Sequence, residues 1–487
     1  MVNELIIHAG IAELRFAVLS DGVLSRYWQD AILGDAGDGP SHVGDIVWGR
    51  VRRLLPAAEA AFVDIGQSRA GFLSVRDIRR AAPGKQPGAH IGDFVREGEA
   101  ILVQVLKDPI GDKGARVGTE ISLAGRLLVY APYGSGVHVS RSIADDATRT
   151  RLIQTVAVIR GTSGGSFVVR TAASEASEEA LRREAFALIE KWRGISATSE
   201  SASAPAILHR ELPPLEKALR DNAHDVLRVV FDGAEALAAA RVYCEQAMPE
   251  FASKIVAHDS RRPLFEDLGI EDEIASLASS RVELKAGGWL MIEHTEALTA
   301  IDVNSGKIAH VGDGDSASLA VNLEAAEEIA RQLALRGIGG LIVIDFIGTS
   351  DPEHRNRLVT ALGAAMGRGG VPADIAAVPG GGPVVMTRKR THDSLDRRLA
   401  EPCAVCDGHG RRRTASAVAH EILRRAEHHA SAAPGKPVIV YAAPEIAAWL
   451  DARASILKPA LARRGAADFR IVAEPARARE TYSVETA

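Results

Sequence analysis

The sequence predicts a multidomain fold that mixes α/β and α+β architecture, and three observations carry that prediction. The chain has 487 residues, more than one ordinary core organises, so three or more domains are expected. Residues from about 43 to 124 read as short strands separated by glycine-rich turns, the pattern of a small barrel. From about residue 281 the pattern becomes strand, loop, helix, strand, which is α/β.

In chain order, ELIIHAGIAELRFAVLSDGVLSRYWQD alternates as a β-hairpin does, with its turn at Asp21-Gly22, and LGDAGDGPSH is a loop. The barrel strands are GDIVWGRV, AAFVDIG, AGFLSV and AILVQVL, interrupted by the loop AAPGKQPGAH. The strand GGSFVVRTA then runs into the helix EEALRREAFALIEKWR. ISATSESASAPA, residues 195–206, has the composition of a linker. Helix, the strand VLRVVFDG and a second helix follow, then WLMIEH, LTAIDVNSG, NLEAAEEIARQLALRG and GLIVIDFIG. The final ~75 residues carry helix and strand signals without obvious chemistry.

Net charge is −5, which argues against a general nucleic-acid binder, but the charges are unevenly spread. Basic residues gather in VWGRVRRLL, VRDIRR, MTRKRTHDSLDRRL and GRRRT; acids gather in EEALRRE, FEDLGIEDEI and NLEAAEEIA. Basic stripes on an acidic body still track phosphates, although any one cluster is more simply a solvated face. No stretch approaches a membrane span, and the N-terminus does not read as a signal peptide. Three cysteines give no disulfide framework, so a cytoplasmic location is expected.

Two of those cysteines form Cys403-Ala-Val-Cys406, one knuckle of a tetrahedral zinc site whose partner is missing. Cys244 lies far upstream on an amphipathic helix, and His409 follows Cys406 at a very short spacing. Either the other two ligands come from a second copy of the chain, making zinc a subunit clasp, or the pair is a redox couple, or it binds nothing.

Asp302 ends the alternating run Leu298–Asn304, and Asp345 follows the apolar run Leu341–Ile344. Between them Leu323, Ala326, Ile329, Ala330 and Leu333 recur at helical spacing, and Gly337 suits the position after the helix end. If the two strands are parallel neighbours, both aspartates lie at the C-terminal edge of one sheet, where open α/β sheets place their sites. Two carboxylates there suit Mg²⁺, and Asn304, two residues on, faces the same side. The plain alternative is that each aspartate caps a turn, but a charge after LIVI needs a partner.

GDIVWGRVRRLLPAAEAAFVDIGQSRAGFLSV, followed by VREGEAILVQVL, resembles the S1 type of OB-fold. In such barrels exposed aromatics stack on bases. Phe62 and Phe72 are the candidates, each otherwise a core residue, with Lys113 as a phosphate contact.

With EALTAIDVNSGK, NLEAAEEIARQLALRGIGGLIVIDFI, MTRKRTHDSL and the Cys403–Cys406 knuckle in line, the chain resembles the ribonuclease E/G family over about residues 1–415. It is most like the family's short form, without a long C-terminal scaffold. The resemblance implies an RNase H-like subdomain split between 1–38 and 206–280, with an S1 barrel at 39–124 and a 5′-sensor region and linker at 125–205 inserted. It further implies a DNase I-like catalytic subdomain at 281–400, a zinc-link at 401–414 and a small C-terminal domain at 415–487. The implied activity is endonucleolytic cleavage of single-stranded RNA in ribosomal RNA processing and messenger RNA decay, leaving 5′-phosphate and 3′-hydroxyl ends. Asp302 and Asp345 match the metal ligands and Asn304 their polar neighbour. Cys403 and Cys406 match a zinc site shared by two chains of a homodimer, with a dimer of dimers as the larger form. Gly125, Val129, Arg170 and Thr171 match a pocket that reads a 5′-monophosphate.

Three departures stand against that pattern. Gly348 replaces a common acid, Gly380 in VPGGGPV replaces an arginine of the 5′ pocket, and Ala404 replaces a knuckle proline. The first two leave room for a competing reading, an RNA-binding or assembly protein with weakened chemistry.

Overall fold

The computed structural model describes the chain except residues 1–2, 32–42, 79–89, 110–113, 141, 162–163, 223–224, 296, 307–313, 349–350, 369–372, 378–381, 390–393, 396–399, 401–402, 407–409, 411 and 487. Chain contacts divide it into Met1–Leu395 and Asp396–Ala487. The first unit is a mixed α/β assembly that contains a closed five-strand barrel.

Strands β1 (Asn3–Ala9), β2 (Glu13–Ser20) and β3 (Val23–Ala31) form an antiparallel meander, so the expected hairpin gains a strand before it. Its turn falls at Asp21-Gly22, where both residues take positive φ (50° and 79°), as the tightest hairpin turns demand. The strands are buried on both faces. Leu5, Ile7, Phe16 and Val18 join one core, while Ile6, Ala17 and Leu19 join another.

Strands β4 (Ile46–Leu55), β5 (Ala60–Asp64), β6 (Gly71–Ser74), β7 (Ala100–Lys107) and β8 (Arg116–Gly118) pair in the order β4-β5-β6-β8-β7. β7 then pairs back onto β4 and closes the barrel, consistent with the S1-type reading. Val47, Val51, Val63, Leu73, Val103, Val105 and Val117 fill its interior. Gly49 permits the closure, since a Cβ there would lie 2.7 Å from the Val63 side chain.

The next sheet holds β9 (Leu123–Ala124), β10 (Leu128–Ala131), β11 (Gly136–Val139) and, after α1 (Asp146–Arg160), β12 (Ser166–Val169), in the order β11-β12-β10-β9. α2 (Glu178–Ser201) packs with α1 on the same core through Leu181, Ala185, Leu188, Ile189 and Ile195. This corrects the linker reading, because residues 195–201 are the last turns of α2. Buried Ile195 extends the apolar stripe, and the Thr198, Ser199 and Ser201 hydroxyls donate back to carbonyls three or four residues earlier. β13 (Ala206–His209) then pairs with β4, so residues 206–209 join the barrel's sheet rather than the N-terminal one.

α3 (Pro214–Asn222), β14 (Arg228–Asp232), α4 (Ala234–Ala247), α5 (Pro249–Ala252), β15 (Ile255–Ala257), α6 (Leu264–Asp267) and α7 (Ile270–Ser276) return the chain to its beginning. β14 lies parallel to β1, and β15 parallel to β14, giving the order β15-β14-β1-β2-β3. Cys244 sits in this core, and burial pushes its thiol up to about 11. It packs as a small apolar residue.

A further sheet contains β16 (Arg281–Glu283), β17 (Trp289–His294), β18 (Leu298–Asn304), β19 (Gly340–Asp345), β20 (Ala373–Ala377) and β21 (Val384–Arg388), ordered β16-β17-β18-β19-β21-β20. α8 (Gly314–Leu335) makes the crossover between the parallel strands β18 and β19, and α9 (Pro352–Arg368) packs beside it. Gly337 ends α8 at φ 64°, as its position in the sequence predicts.

In the second unit α10 (Ala415–Ala432), α11 (Pro444–Asp451) and α12 (Ala454–Ala462) pack on β22 (Val438–Ala442), β23 (Phe469–Ala473) and β24 (Tyr482–Thr486), ordered β23-β22-β24. Among the described residues, no helix is long and apolar enough to cross a membrane.

Candidate functional site

β18 and β19 are parallel neighbours in register from Leu298↔Leu341 to Asp302↔Asp345. Alternation sends Ile301 and Ile344 into the core and leaves Asp302 and Asp345 exposed, on the same side, at the C-terminal ends of their strands. Asn304 returns to that side, and its amide donates to Asp302 Oδ2 at 2.9 Å. Thus the structure brings Asp302, Asp345 and Asn304 together. Among the described residues no group of three or more His, Cys, Asp and Glu is placed to hold a metal. Two carboxylates facing one side fit Mg²⁺, which keeps several waters of its own.

The segment after Asp345 is held from below. Asn322 of α8 is fully buried; its amide donates to the Ile347 carbonyl at 2.8 Å and its oxygen accepts from the Ile347 amide at 3.0 Å. One side chain therefore pairs with both backbone polar groups of Ile347, two residues from a candidate metal ligand. Sequence reading missed it, because an Asn inside a charged helix gives no local signal. Gly348 follows, exposed, with no atom within 4 Å of where a Cβ would stand. A longer side chain would fit there, so nothing steric among the described residues requires the glycine.

Not every basic string is a phosphate track. Arg388, in MTRKR, is buried and donates to the carbonyls of Leu333 (3.0 Å) and Ile338 (2.5 Å). It secures the C-terminal end of α8, and burial holds its guanidinium below the ordinary arginine value. Lys389 is exposed.

On the barrel, Phe62 and Phe72 are directly paired, half-buried and in edge contact, with ring centroids 6.2 Å apart. Arg53 stands opposite Phe62 on β4, and Arg116 opposite Phe72 on β8. The outer face therefore presents the row Arg53, Phe62, Phe72, Arg116 across four strands. Arg116 is forked onto Asp77 at 2.7 and 2.8 Å, which fixes it. Lys113 lies outside the described residues.

Gly125, Val129, Arg170 and Thr171 are also brought together. β10 carries Val129 opposite Val168 and Ala124, and Arg170 donates from Nη1 to the Gly125 carbonyl at 2.7 Å. The Thr171 hydroxyl lies 3.2 Å from that of Ser140. Glu184 accepts the amides of Leu127 and Leu128 (2.8 and 2.9 Å); burial raises its carboxyl above the usual range, against those bonds and the charges of Arg126 and Arg170. Gly380 lies outside the described residues.

Cys403 and Cys406 form a turn in the second unit, with the Cys406 amide donating to the Cys403 carbonyl at 3.2 Å. The Gly410 amide donates to Cys406 Sγ at 3.3 Å, and the amides of Val405 and Cys406, then the Cys406 thiol, draw the Cys403 thiol below its ordinary value. Amide hydrogens that favour thiolates suit a zinc knuckle. Val405 between them is exposed, and His409 lies outside the described residues.

The sequence that builds this site has known counterparts. The ribonuclease E/G family model matches residues 122–391. Ribonuclease G of Escherichia coli strain K12 is 35% identical over 463 residues, spanning 93% of this chain and 94% of that protein. Ribonuclease G of Haemophilus influenzae is 36% identical over 416 residues, 84% of each chain. Ribonuclease E of Escherichia coli strain K12 is 37% identical over 393 residues, 79% of this chain and 37% of that protein. The chain belongs to the ribonuclease E/G family.

Proposed function

We propose that this endoribonuclease of the ribonuclease E/G family cleaves single-stranded RNA by Mg²⁺-assisted hydrolysis, leaving 5′-phosphate and 3′-hydroxyl ends, in ribosomal RNA processing and messenger RNA decay. One observation carries the reading: Asp302 and Asp345 face each other across a parallel rung at a sheet edge. Bound there, the ion would activate water and offset charge on the phosphodiester under attack. Asn304 fixes the Asp302 carboxylate, leaving its other oxygen for the ion. Phe62 and Phe72 stack on bases, and Arg53 supplies a cation beside them.

The same reading divides the chain. The order β15-β14-β1-β2-β3 supports an RNase H-like subdomain completed by residues after 209, with the barrel and the 5′-sensor region inserted. The sheet from β16 to β21 is the DNase I-like catalytic subdomain. Cys403 and Cys406 are two ligands of a zinc ion shared with a second copy, and a dimer of dimers is the larger assembly. Gly348 favours a second reading, an RNA-binding protein of weakened chemistry. The test is to incubate purified protein with a 5′-monophosphorylated single-stranded RNA in Mg²⁺ or chelator. Cleavage only with Mg²⁺ supports the enzyme; tight binding without cleavage supports the second reading.

A further inference from the structure

Arg170 is the charged member of the 5′-monophosphate pocket, and its guanidinium has a second anchor. Nη1 donates both to the Gly125 carbonyl and to Asp221 Oδ1, each at 2.7 Å. Both hydrogens of that nitrogen are thereby used. Nε–H and the two hydrogens of Nη2 take no partner among the described residues, and these make the edge that meets a phosphate with two parallel bonds.

Asp221 is itself fixed. Arg220 grips it with a fork, Nε to Oδ1 at 3.0 Å and Nη2 to Oδ2 at 3.1 Å. Arg220 is buried and spends Nη1 on the Ala124 carbonyl (3.1 Å) and Glu211 Oε1 (2.9 Å). The chain of contacts runs from Glu211 through Arg220 and Asp221 to Arg170, and it touches the backbone at both Ala124 and Gly125. A free arginine loses rotamer entropy when it engages a ligand; one already held on two sides does not.

We propose that Asp221 is the positioning residue of the 5′-end pocket, holding Arg170 so that its Nε–Nη2 edge faces the terminal phosphate of the RNA. The proposal rests on the pocket reading above. It assigns to α3, which lies outside the sheet that ends just before Arg170, a part in recognising the 5′ end. It also gives a reason for specificity without the arginine replaced by Gly380: a preorganised fork recovers part of what a second cation would add.

The experiment measures the ratio of cleavage rates for two RNAs differing only in a 5′-monophosphate or 5′-hydroxyl, for Arg170→Ala, Asp221→Ala and Asp221→Asn. Affinity for a short 5′-monophosphorylated oligonucleotide and thermal melting are followed in parallel. Arg170→Ala should abolish the monophosphate preference, and Asp221→Ala should bring the ratio to within about twofold of that variant, the loss expected when preorganisation goes. Asp221→Asn, whose amide oxygen still accepts from Arg170, should fall between; it decides the matter if Asp221→Ala does not fold. A wild-type or higher ratio in the Asp221 variants, with the ratio lost in Arg170→Ala, would overturn the proposal and leave the pocket standing. A ratio unmoved by Arg170→Ala would remove the pocket reading and the proposal with it.

Discussion

Two sheets of the main unit carry the same device with different residues. In the N-terminal sheet, parallel strands β1 and β14 set His8 opposite Asp232; in the sheet of the candidate site, parallel strands β18 and β19 set Asp302 opposite Asp345. Both rungs stand at the C-terminal ends of their strands. His8 Nδ1 lies 2.9 Å from Asp232 Oδ2, and the Leu264 amide reaches the same oxygen at 3.4 Å. That rung satisfies itself. Asp302 and Asp345 are both acids and offer each other no donor, and the donor found for Asp302 among the described residues is the neutral Asn304 amide. Strand geometry fixes where the pair stands, and charge decides what it does. Complementary residues close the rung, whereas in the proposed reading the like residues are held by a cation from outside.

The largest effect should come from breaking the like-charged rung. Asp302→Asn or Asp345→Asn should lower single-turnover cleavage by at least ~10³-fold, because metal assistance contributes several kcal/mol to the barrier. RNA affinity should stay within a few-fold, since the proposed reading assigns binding to the barrel face. Near wild-type turnover in either variant would sink the metal reading.

The two thiols of the second unit are also a like-charged pair once ionised, so the comparison extends to them. Cys403→Ser with Cys406→Ser should remove bound zinc and reduce the protein to a smaller oligomer on size-exclusion chromatography. Elemental analysis of the unaltered protein should find about one zinc per two chains, the ratio that four thiolates require. One zinc per chain would instead place the remaining ligands within the same chain.

The like-charged rung was legible in the sequence because a charge at the end of LIVI stands out against apolar neighbours, and a single helix links its two strands. The complementary rung was not. His8 and Asp232 lie 224 positions apart, and no local pattern announces that β14 completes a sheet begun at residue 3. Asn322 and Asp221 were hidden for a related reason, since each sits in a polar helix where its partner is set only by packing. The helical ending of ISATSES was missed because Ser and Thr favour caps and turns, and the burial of Ile195 overrides that preference. The barrel was readable because glycine-punctuated strands are local and its closure follows from them.

The smallest expected effect is the sharpest test of the comparison. His8→Asp would convert the complementary rung into a second pair of facing carboxylates without touching the candidate catalytic sheet. The side chains of His8 and Asp232 are 28% and 34% exposed, so solvent weakens the interaction that is lost. A destabilisation of about 1 kcal/mol follows in chelator, or roughly 2 °C in melting temperature. If like charge on a parallel rung is what recruits a cation, millimolar Mg²⁺ should restore much of that loss in the variant and do less for the unaltered protein. Melting curves in chelator and in Mg²⁺ measure the difference directly, and RNA cleavage should persist because Asp302 and Asp345 are intact. An equal response of both proteins to Mg²⁺ would mean that opposed carboxylates are not enough. The further requirement would then be the surroundings of Asp302 and Asp345, above all the Asn304 amide and the backbone held by Asn322, which the N-terminal rung lacks.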